Sequence, residues 1–589
     1  MDEYCLNILK TLFSEEELDE MCIKKNYVLK AQEVFMDYVN SISPNPNNLK
    51  FKEQIILFMM QPKYENFETL CLADAVAKGT VDIGVIFFPK ETPEIIEHFI
   101  EFNLLDKFQI YNFNIDIVPI DADLFSLESD ESFREIYIDK NYDSVSQLAN
   151  IVLKFEVAFG KIQNKFIKGD TSKIFNDFLS SKEEEHKIKS NEEILGMIVL
   201  DRSIDYITPL LSNYTFEGMI DEYMGINKGN ITVKRSFVKS IFKPEHKKKK
   251  ADEYIDYPLT SDYNSFYCNL RCMHFRTAFN YIKGLNNYYQ SIINESKHTK
   301  KVDEMAEVFS EIKDFVFIEN YINDNFKIID LLLKETIEVD EANIRSQKLA
   351  LLNEDPQKVE TFYNDYISEK KDLYKILNLI LLDSLTQNGI KEYSLLKRDI
   401  MNIYGYQNIF LFRNLEELGL IKERGTKITK KIFKSNLQKI NENLNLINVE
   451  FNLEKIFDLS YIDDGYCPLT LKLIEKAVEG GWKRIRDTLE LIPGETSIPY
   501  NEEEVTNPTE NLNTIFVVFL GGITYAEIEG IRYLNRKYKE LYEKENKPRK
   551  QFIIITTQIL NYKKLYDNLG KKFKNDFTIK KFYNEISKK

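Results

Sequence analysis

The sequence predicts a multidomain α/β protein in which two α/β regions with parallel sheets flank a helical insert. Three observations carry this expectation. Short apolar runs alternate with helical stretches near both ends of the chain, as βα units do. Between them, residues 262–352 are long, charged and poor in helix breakers. The chain's 589 residues, 43% of them hydrophobic, exceed what one hydrophobic core organises, so several domains are required.

Taken in order, an opening helical pattern is followed by strands at Gln54–Met60, Val81–Phe88 and Phe108–Ile110, with helical stretches between. Pro119 closes the apolar run Ile115–Val118. A helical stretch from Ser144 to Phe178 leads through the charged Lys182–Glu193 into Ile194–Leu200, whose unbroken apolar run reads as a buried parallel strand. Asp201, Arg202 and Asp205 sit where that strand runs out. Pro209 forces Thr208 out of helical geometry, and Thr215 offers an N-cap to a short helix carrying Glu217, Asp221 and Glu222. Asp355-Pro356 marks a boundary before a compact helical segment from Val359 to about Asn445. The chain then returns to α/β character. Ile515–Leu520 is a strand, Gly521-Gly522 a tight turn, and Thr524-x-x-Glu527 a capping box; Gln551–Thr556 completes a right-handed βαβ unit.

Composition narrows the function classes. A net charge of −15 argues against nucleic acid as a bulk electrostatic partner. The local basic run His246–Lys250 reads as a solvated loop, with anionic lipid as its functional alternative. Six cysteines, Cys5, Cys22, Cys71, Cys268, Cys272 and Cys467, show no framework spacing, which fits a reducing compartment. Cys268, Cys272 and His274 lack a second ligand pair nearby, so no metal is expected. The acidic start MDEYCLNILK is unlike a signal peptide, and no apolar run approaches the ~20 residues that cross a bilayer. Any membrane association is expected to be indirect.

Candidate chemistry is sparse. Gly521-Gly522 before a capped helix is a possible anion cradle, but the chain has no GxxxxGK[ST], and close packing of helix on strand is the simpler role. Asp201 and Arg202 lie where α/β enzymes keep catalytic groups. No nucleophile motif or nearby His accompanies them, so a structural ion pair is the preferred reading. Trp482, the one tryptophan, reads as a core filler. Leu411–Ile421 has the pattern of a winged-helix segment with too few basic residues to read DNA. No catalytic, cofactor or metal residue is assigned.

The order of residues says more than local physics. The segment Asp201-Arg202-x-x-Asp205-x-x-Thr208-Pro209-Leu210, followed by Tyr214-Thr215-x-x-Gly218-x-Ile220-Asp221-Glu222, closely resembles the Sec-one/Munc-eighteen (SM) family, cytosolic proteins that chaperone SNARE-driven membrane fusion. Tyr461–Leu469, Gly481-Trp482, Leu491–Gly494, Phe519–Ile528 with Arg532–Leu534, and the pair Ile403–Tyr406 and Asn414–Leu420 resemble its vacuolar protein sorting-associated protein thirty-three branch. Cys467 departs from the usual small residue.

The resemblance implies an α/β multidomain arch, the SM fold. Domain 1 would span 1–119, a discontinuous α/β domain 2 would span 120–212 and 448–589, and helical domains 3a and 3b would span 213–357 and 358–447. It implies Qa and R SNARE partners, residence in a class C (HOPS/CORVET) tethering complex through the C-terminal helical region of a partner subunit, and a cytoplasmic, peripheral position on late endosome or vacuole membranes. Phe315, Ile318 and Tyr321 recur at near-helical spacing and fall by resemblance at the tip of the SNARE-holding hairpin. Read as residues alone they fit a core face equally well. Tyr461 and Tyr466 are candidates for the tethering-partner surface, with packing between the second and third domains as the alternative. An SM protein of another branch, serving Golgi or plasma membrane, and an α/β enzyme remain as rival functions.

Overall fold

The structure, a computed structural model, describes residues 55–60, 67, 70–71, 82–87, 91–112, 117–162, 164–186, 194–235, 237–238, 254–259, 265–296, 319, 321–334, 341–352, 355–424, 436–448, 459–499, 512–545 and 549–570. It divides into two compact units between Ile117 and Val118.

In the first unit, strands β1 (Ile55–Met60), β2 (Asp82–Phe87) and β3 (Phe108–Asn112) form a parallel sheet in the order β1-β2-β3. The helix Pro93–Glu101 starts where the Thr92 side chain accepts from Ile95 N and Pro93 presets the first turn. Its Phe99 ring meets Phe67, Phe87 and Phe108 edge-on, with centroids 5.3 to 6.1 Å apart, the arrangement aromatic quadrupoles favour.

In the second unit, seven strands run β10-β6-β7-β11-β12-β5-β4. They are β4 (Val118–Asp121), β5 (Leu124–Ser126), β6 (Asn164–Lys168), β7 (Ile194–Asp201), β10 (Thr496–Ser497), β11 (Leu512–Leu520) and β12 (Arg549–Thr556). The inner five are parallel, and β4 and β10 pair antiparallel at the edges. The central strands are buried on both faces, with Ile515–Leu520 and Met197–Leu200 nearly sealed from solvent, which is why both segments read as unbroken apolar runs. One sheet therefore takes strands from 118–201 and again from 496–556.

The expected helical stretch 144–178 is instead two helices, Asp143–Phe159 and Asp170–His186, with β6 between them. Gly160 at φ 102° and Gly169 at φ 112° supply the left-handed backbone that ends one helix and turns into the next. Between β7 and β10 lies the helical insert, opened by a hairpin of β8 (Asn230–Lys234) and β9 (Tyr254–Pro258). Its helices include Phe275–Ser296, 321–334, Glu341–Leu352, Pro356–Ser368, Leu373–Gln387, Tyr393–Tyr404 and Ile409–Glu417. Leu373–Gln387 is buried over Ile376–Ser384, so it is the core helix of its region. Its Asn378 Oδ1 accepts from Tyr566 OH at 2.6 Å, tying it to the closing helix Tyr562–Gly570.

Candidate functional site

The Asp-Arg-x-x-Asp segment begins at the carboxyl end of β7, the position where open α/β sheets keep ligands. Here that crevice is filled by the chain itself. Asp201 Oδ2 accepts from Thr171 N at 2.9 Å and Oδ1 from Ser203 N at 3.0 Å, and the Tyr137 hydroxyl donates to Oδ1. The same hydroxyl accepts from Arg202 N at 3.1 Å. Tyr137 thus plugs the top of the sheet, and burial pushes its phenol well above the ordinary range.

Arg202, fully buried, reaches Glu527 with both terminal nitrogens, at 2.7 and 2.9 Å, and donates to the Asp205 carbonyl from Nε and Nη2. This is the bidentate fork that suits guanidinium to carboxylate. Burial opposes the Arg202 charge, and Glu527 more than restores it. Glu527 is also the capping-box residue. Thr524 N donates to it at 2.9 Å, it donates back from its own N to Thr524 Oγ1 at 3.2 Å, and Thr470 adds a further hydrogen bond at 2.5 Å. Asp205 accepts from Ile207 N, Thr208 N, Thr208 Oγ1 and Leu469 N, between 2.6 and 3.1 Å. The segment thereby joins β7, the helix Leu469–Glu479 and the helix Tyr525–Glu545. An ion pair was expected at this point; its partner is Glu527 rather than Asp201.

A second buried network centres on Arg532. Its guanidinium contacts Glu217 and Glu529 at 2.7 Å and Asp123 at 3.2 Å, and Tyr267 OH donates to Glu217 at 3.0 Å. Burial lifts Glu217 well above the carboxylate range, whereas Arg532 overcomes burial at Glu529 and holds it down to about 2. The helix carrying Glu217 starts at Thr215, whose Oγ1 accepts from Gly218 N at 3.2 Å as an N-cap. Asp221 accepts from Asn561 and Glu222 from Ser212 and Asn213, so its acids are structural ligands of the chain itself. Gln347 bonds Ser212 in both directions, at 2.9 and 3.2 Å, and thereby fastens the helix Glu341–Leu352.

The Gly521-Gly522 turn packs closely against its neighbours, and Gly521 N already donates to Thr557 Oγ1 at 3.1 Å. A Cβ at Gly521 would lie 2.5 Å from the Tyr137 ring, and one at Gly522 would lie 2.9 Å from Leu560 Cβ. The helix start beyond it is already capped by Glu527. Trp482 is fully buried, meets Phe166 at 5.2 Å and donates to Leu473 O at 2.9 Å, as a core residue does.

Of the SNARE-face candidates, Phe315 and Ile318 lie outside the described residues, as does the basic run 246–250. Tyr321 is half-buried at the start of 321–334. Tyr461 and Tyr466, candidates for a partner surface with interior packing as the alternative, are interior. They are 2% and 1% exposed, and the Tyr461 ring meets that of Tyr533 at a tilt, with centroids 5.6 Å apart. A partner docking on the folded chain does not reach them, and the backbone beside them pairs with 446–448, where Asn448 N donates to Gly465 O and Cys467 N to Leu446 O, both at 2.8 Å.

Exposed apolar side chains gather elsewhere. Tyr281 and Tyr288 lie seven residues apart on Phe275–Ser296, and Phe326 and Leu331 lie on 321–334. Phe326 stacks on Phe279 of the first helix at 6.4 Å. A second group, Ile403, Tyr406, Ile409 and Phe410, surrounds the corner between Tyr393–Tyr404 and Ile409–Glu417; Tyr406 is 66% exposed and Ile409 and Phe410 are nearly half exposed. The sequence blocks at 403–406 and 414–420 bracket this corner, but nothing in them marks it as open.

Buried, hydrogen-bonded charge of this kind braces a scaffold, and apolar side chains are exposed on two of its helical surfaces. A family model described as Sec1 family matches residues 1–568, and the chain belongs to that family. Vacuolar protein sorting-associated protein 33A of Rattus norvegicus is 26% identical over 86% of this chain and 85% of its own length. The vacuolar protein-sorting-associated protein 33 homolog of Arabidopsis thaliana is 26% identical over 88% of this chain and 87% of its own. Among solved structures, the SM protein Vps45 in complex with the Qa SNARE Tlg2 matches with a TM-score of 0.53 at 14% identity, over 91% of this chain and 90% of that one. The Unc18–syntaxin 1 complex from Monosiga brevicollis gives 0.51 at 13%, over 88% and 89%. The SM fold, with its parallel-rich sheets and helical insert, is thereby established.

Proposed function

We propose that this protein aligns a Qa and an R SNARE helix for membrane fusion at late endosomes or the vacuole, as a subunit of a class C tethering complex. The observation that carries the reading is a braced α/β scaffold whose helical insert leaves Tyr281, Tyr288, Phe326 and Leu331 open to solvent, on a chain of the Sec1 family. The vacuolar protein-sorting relatives support the organelle. Tyr281 and Tyr288, seven residues apart, share one helix face, and exposed apolar side chains on such a face are what an amphipathic partner helix reads. Holding two disordered segments side by side in advance removes part of an ordering cost of about 2–5 kcal/mol. No chemical step is involved.

With Tyr461 and Tyr466 interior, the tethering partner is assigned to the corner at Tyr406, Ile409 and Phe410. Its apolar exposure suits the helical region of a partner subunit, whereas isolated exposed apolar residues would need no explanation. The test is purification of the tagged chain from its own cells with mass-spectrometric identification. Tyr406→Asp with Ile409→Asp should lose class C subunits while retaining SNAREs and an unchanged melting temperature. Retention of the tethering subunits by that variant removes the corner assignment, and recovery of a syntaxin with no tethering subunit from wild type moves the protein to another fusion step.

A further inference from the structure

Away from the braced crevice, four charged groups meet beside strand β6 of the large sheet. Glu156, on the last turn of Asp143–Phe159, is fully buried. Its Oε1 accepts from Ile162 N at 3.0 Å, and Oε2 has no hydrogen-bond partner. Lys165 from β6 stands 3.7 Å from Oε1 and also contacts Glu183 on Asp170–His186. Lys161, from the connection between helix and strand, holds the other Glu183 oxygen at 2.7 Å. Two carboxylates and two ammonium groups thus share one small volume, with Glu184 acting on Lys161 from outside. Lys182, from the same helix as Glu183, is engaged further along with Ser146 and Asn150.

Both lysines line an open groove of about 570 Å³, together with Ile162, Asn176, Ser180 and Pro499. We propose that Glu156 and Glu183 hold a single proton between them, and that its loss switches this groove from net positive to neutral. With the proton present, Lys161, Lys165 and ionised Glu183 sum to one positive charge. With it gone, the Glu156 carboxylate competes with Glu183 for Lys165, and the wall of the groove loses its excess charge.

The two carboxyl groups are driven apart by their surroundings. Burial, with the negative Glu183 adding to it and Lys165 only partly opposing, pushes Glu156 up to about 7. Glu183 is buried too, but hydrogen bonds from Lys161 and Lys165 outweigh that and hold it below the usual range. A like-charge pair sharing a site ionises in two separated steps, and here the second step falls in the cellular range.

The test compares wild type with Glu156→Gln in urea unfolding from pH 5 to 8.5, on the full chain. Because the folded-state value is raised above the unfolded value near 4.5, the contribution of Glu156 is present at low pH and is lost as pH rises towards 7. The unfolding constant of wild type relative to the variant should rise by about tenfold per pH unit between pH 5 and 7 and level off above that. Curves that stay parallel throughout overturn the proposal. A second reading does not depend on Glu156→Gln folding: with lysines carbon-13 dimethylated and the Lys161 and Lys165 signals assigned through the conservative Lys→Arg changes, both should titrate with a midpoint near 7. Lysine signals that stay flat from pH 6 to 8 overturn the groove switch, whatever the unfolding curves show.

Discussion

Replacing Glu527 with Gln isolates the charge at the centre of the scaffold. Gln serves a capping box as Glu does, so the start of Tyr525–Glu545 should keep its cap, and side-chain volume barely changes. What disappears is the counter-charge to Arg202, which is fully buried and holds Glu527 at 2.7 and 2.9 Å. Removing one partner of a buried pair leaves the other uncompensated at a cost of about 3–5 kcal/mol. Trp482 is the chain's one tryptophan, is fully buried, and packs on β6 of the same sheet through Phe166, so its fluorescence reports the unfolding of this unit in urea. Arg202→Met combined with Glu527→Gln should be less damaging than the sum of the single changes, by about 1–3 kcal/mol. A Glu527→Gln loss below about 1 kcal/mol, the range of an exposed pair, would refute the bracing argument.

Three further outcomes are expected. Gly169→Ala should destabilise the second unit strongly, seen as a lowered urea midpoint, because the position has φ 112° and a Cβ there would lie 2.1 Å from Asp201 Cβ. Tyr466→Asp should abolish soluble folded protein rather than release a partner selectively, since the ring is 1% exposed and a buried unpaired charge is costly; a cooperatively folded variant that loses only tethering subunits would restore the surface role. Tyr288→Asp with Phe326→Asp should leave the chain cooperatively folded, with a modest fall in melting temperature from the lost Phe326–Phe279 stacking, while weakening SNARE capture in a pull-down.

The parts of the fold written in local signals were readable. The unbroken apolar runs gave β7, β11 and β12 within a few residues, and Thr215 and the Thr524–Glu527 box cap the helices assigned to them. What could not be read depends on partners far apart in the chain. Glu527, 325 residues from Arg202, carries no mark of the ion pair beyond its capping position. β6 is five residues wedged between two long helices, and only the glycines at 160 and 169 hint at it. Tyr461 and Tyr466 identify a branch of the family by their order, but an aromatic residue in sequence looks the same whether it meets a partner or a neighbouring helix. The same ambiguity hid the open corner at Tyr406 and Ile409, because amphipathic spacing does not separate a core face from a docking face.

The central claim is that this chain speeds SNARE pairing by holding two helices in register. It is tested most directly by stopped-flow energy transfer between labelled Qa and R SNARE fragments from the same cells, with and without the purified protein and with the Tyr288→Asp, Phe326→Asp variant. The account predicts faster Qa–R association before the remaining helices are added, no requirement for nucleotide, and loss of the acceleration in the variant. Association rates that the protein leaves unchanged, or an acceleration that the variant retains in full, would contradict it.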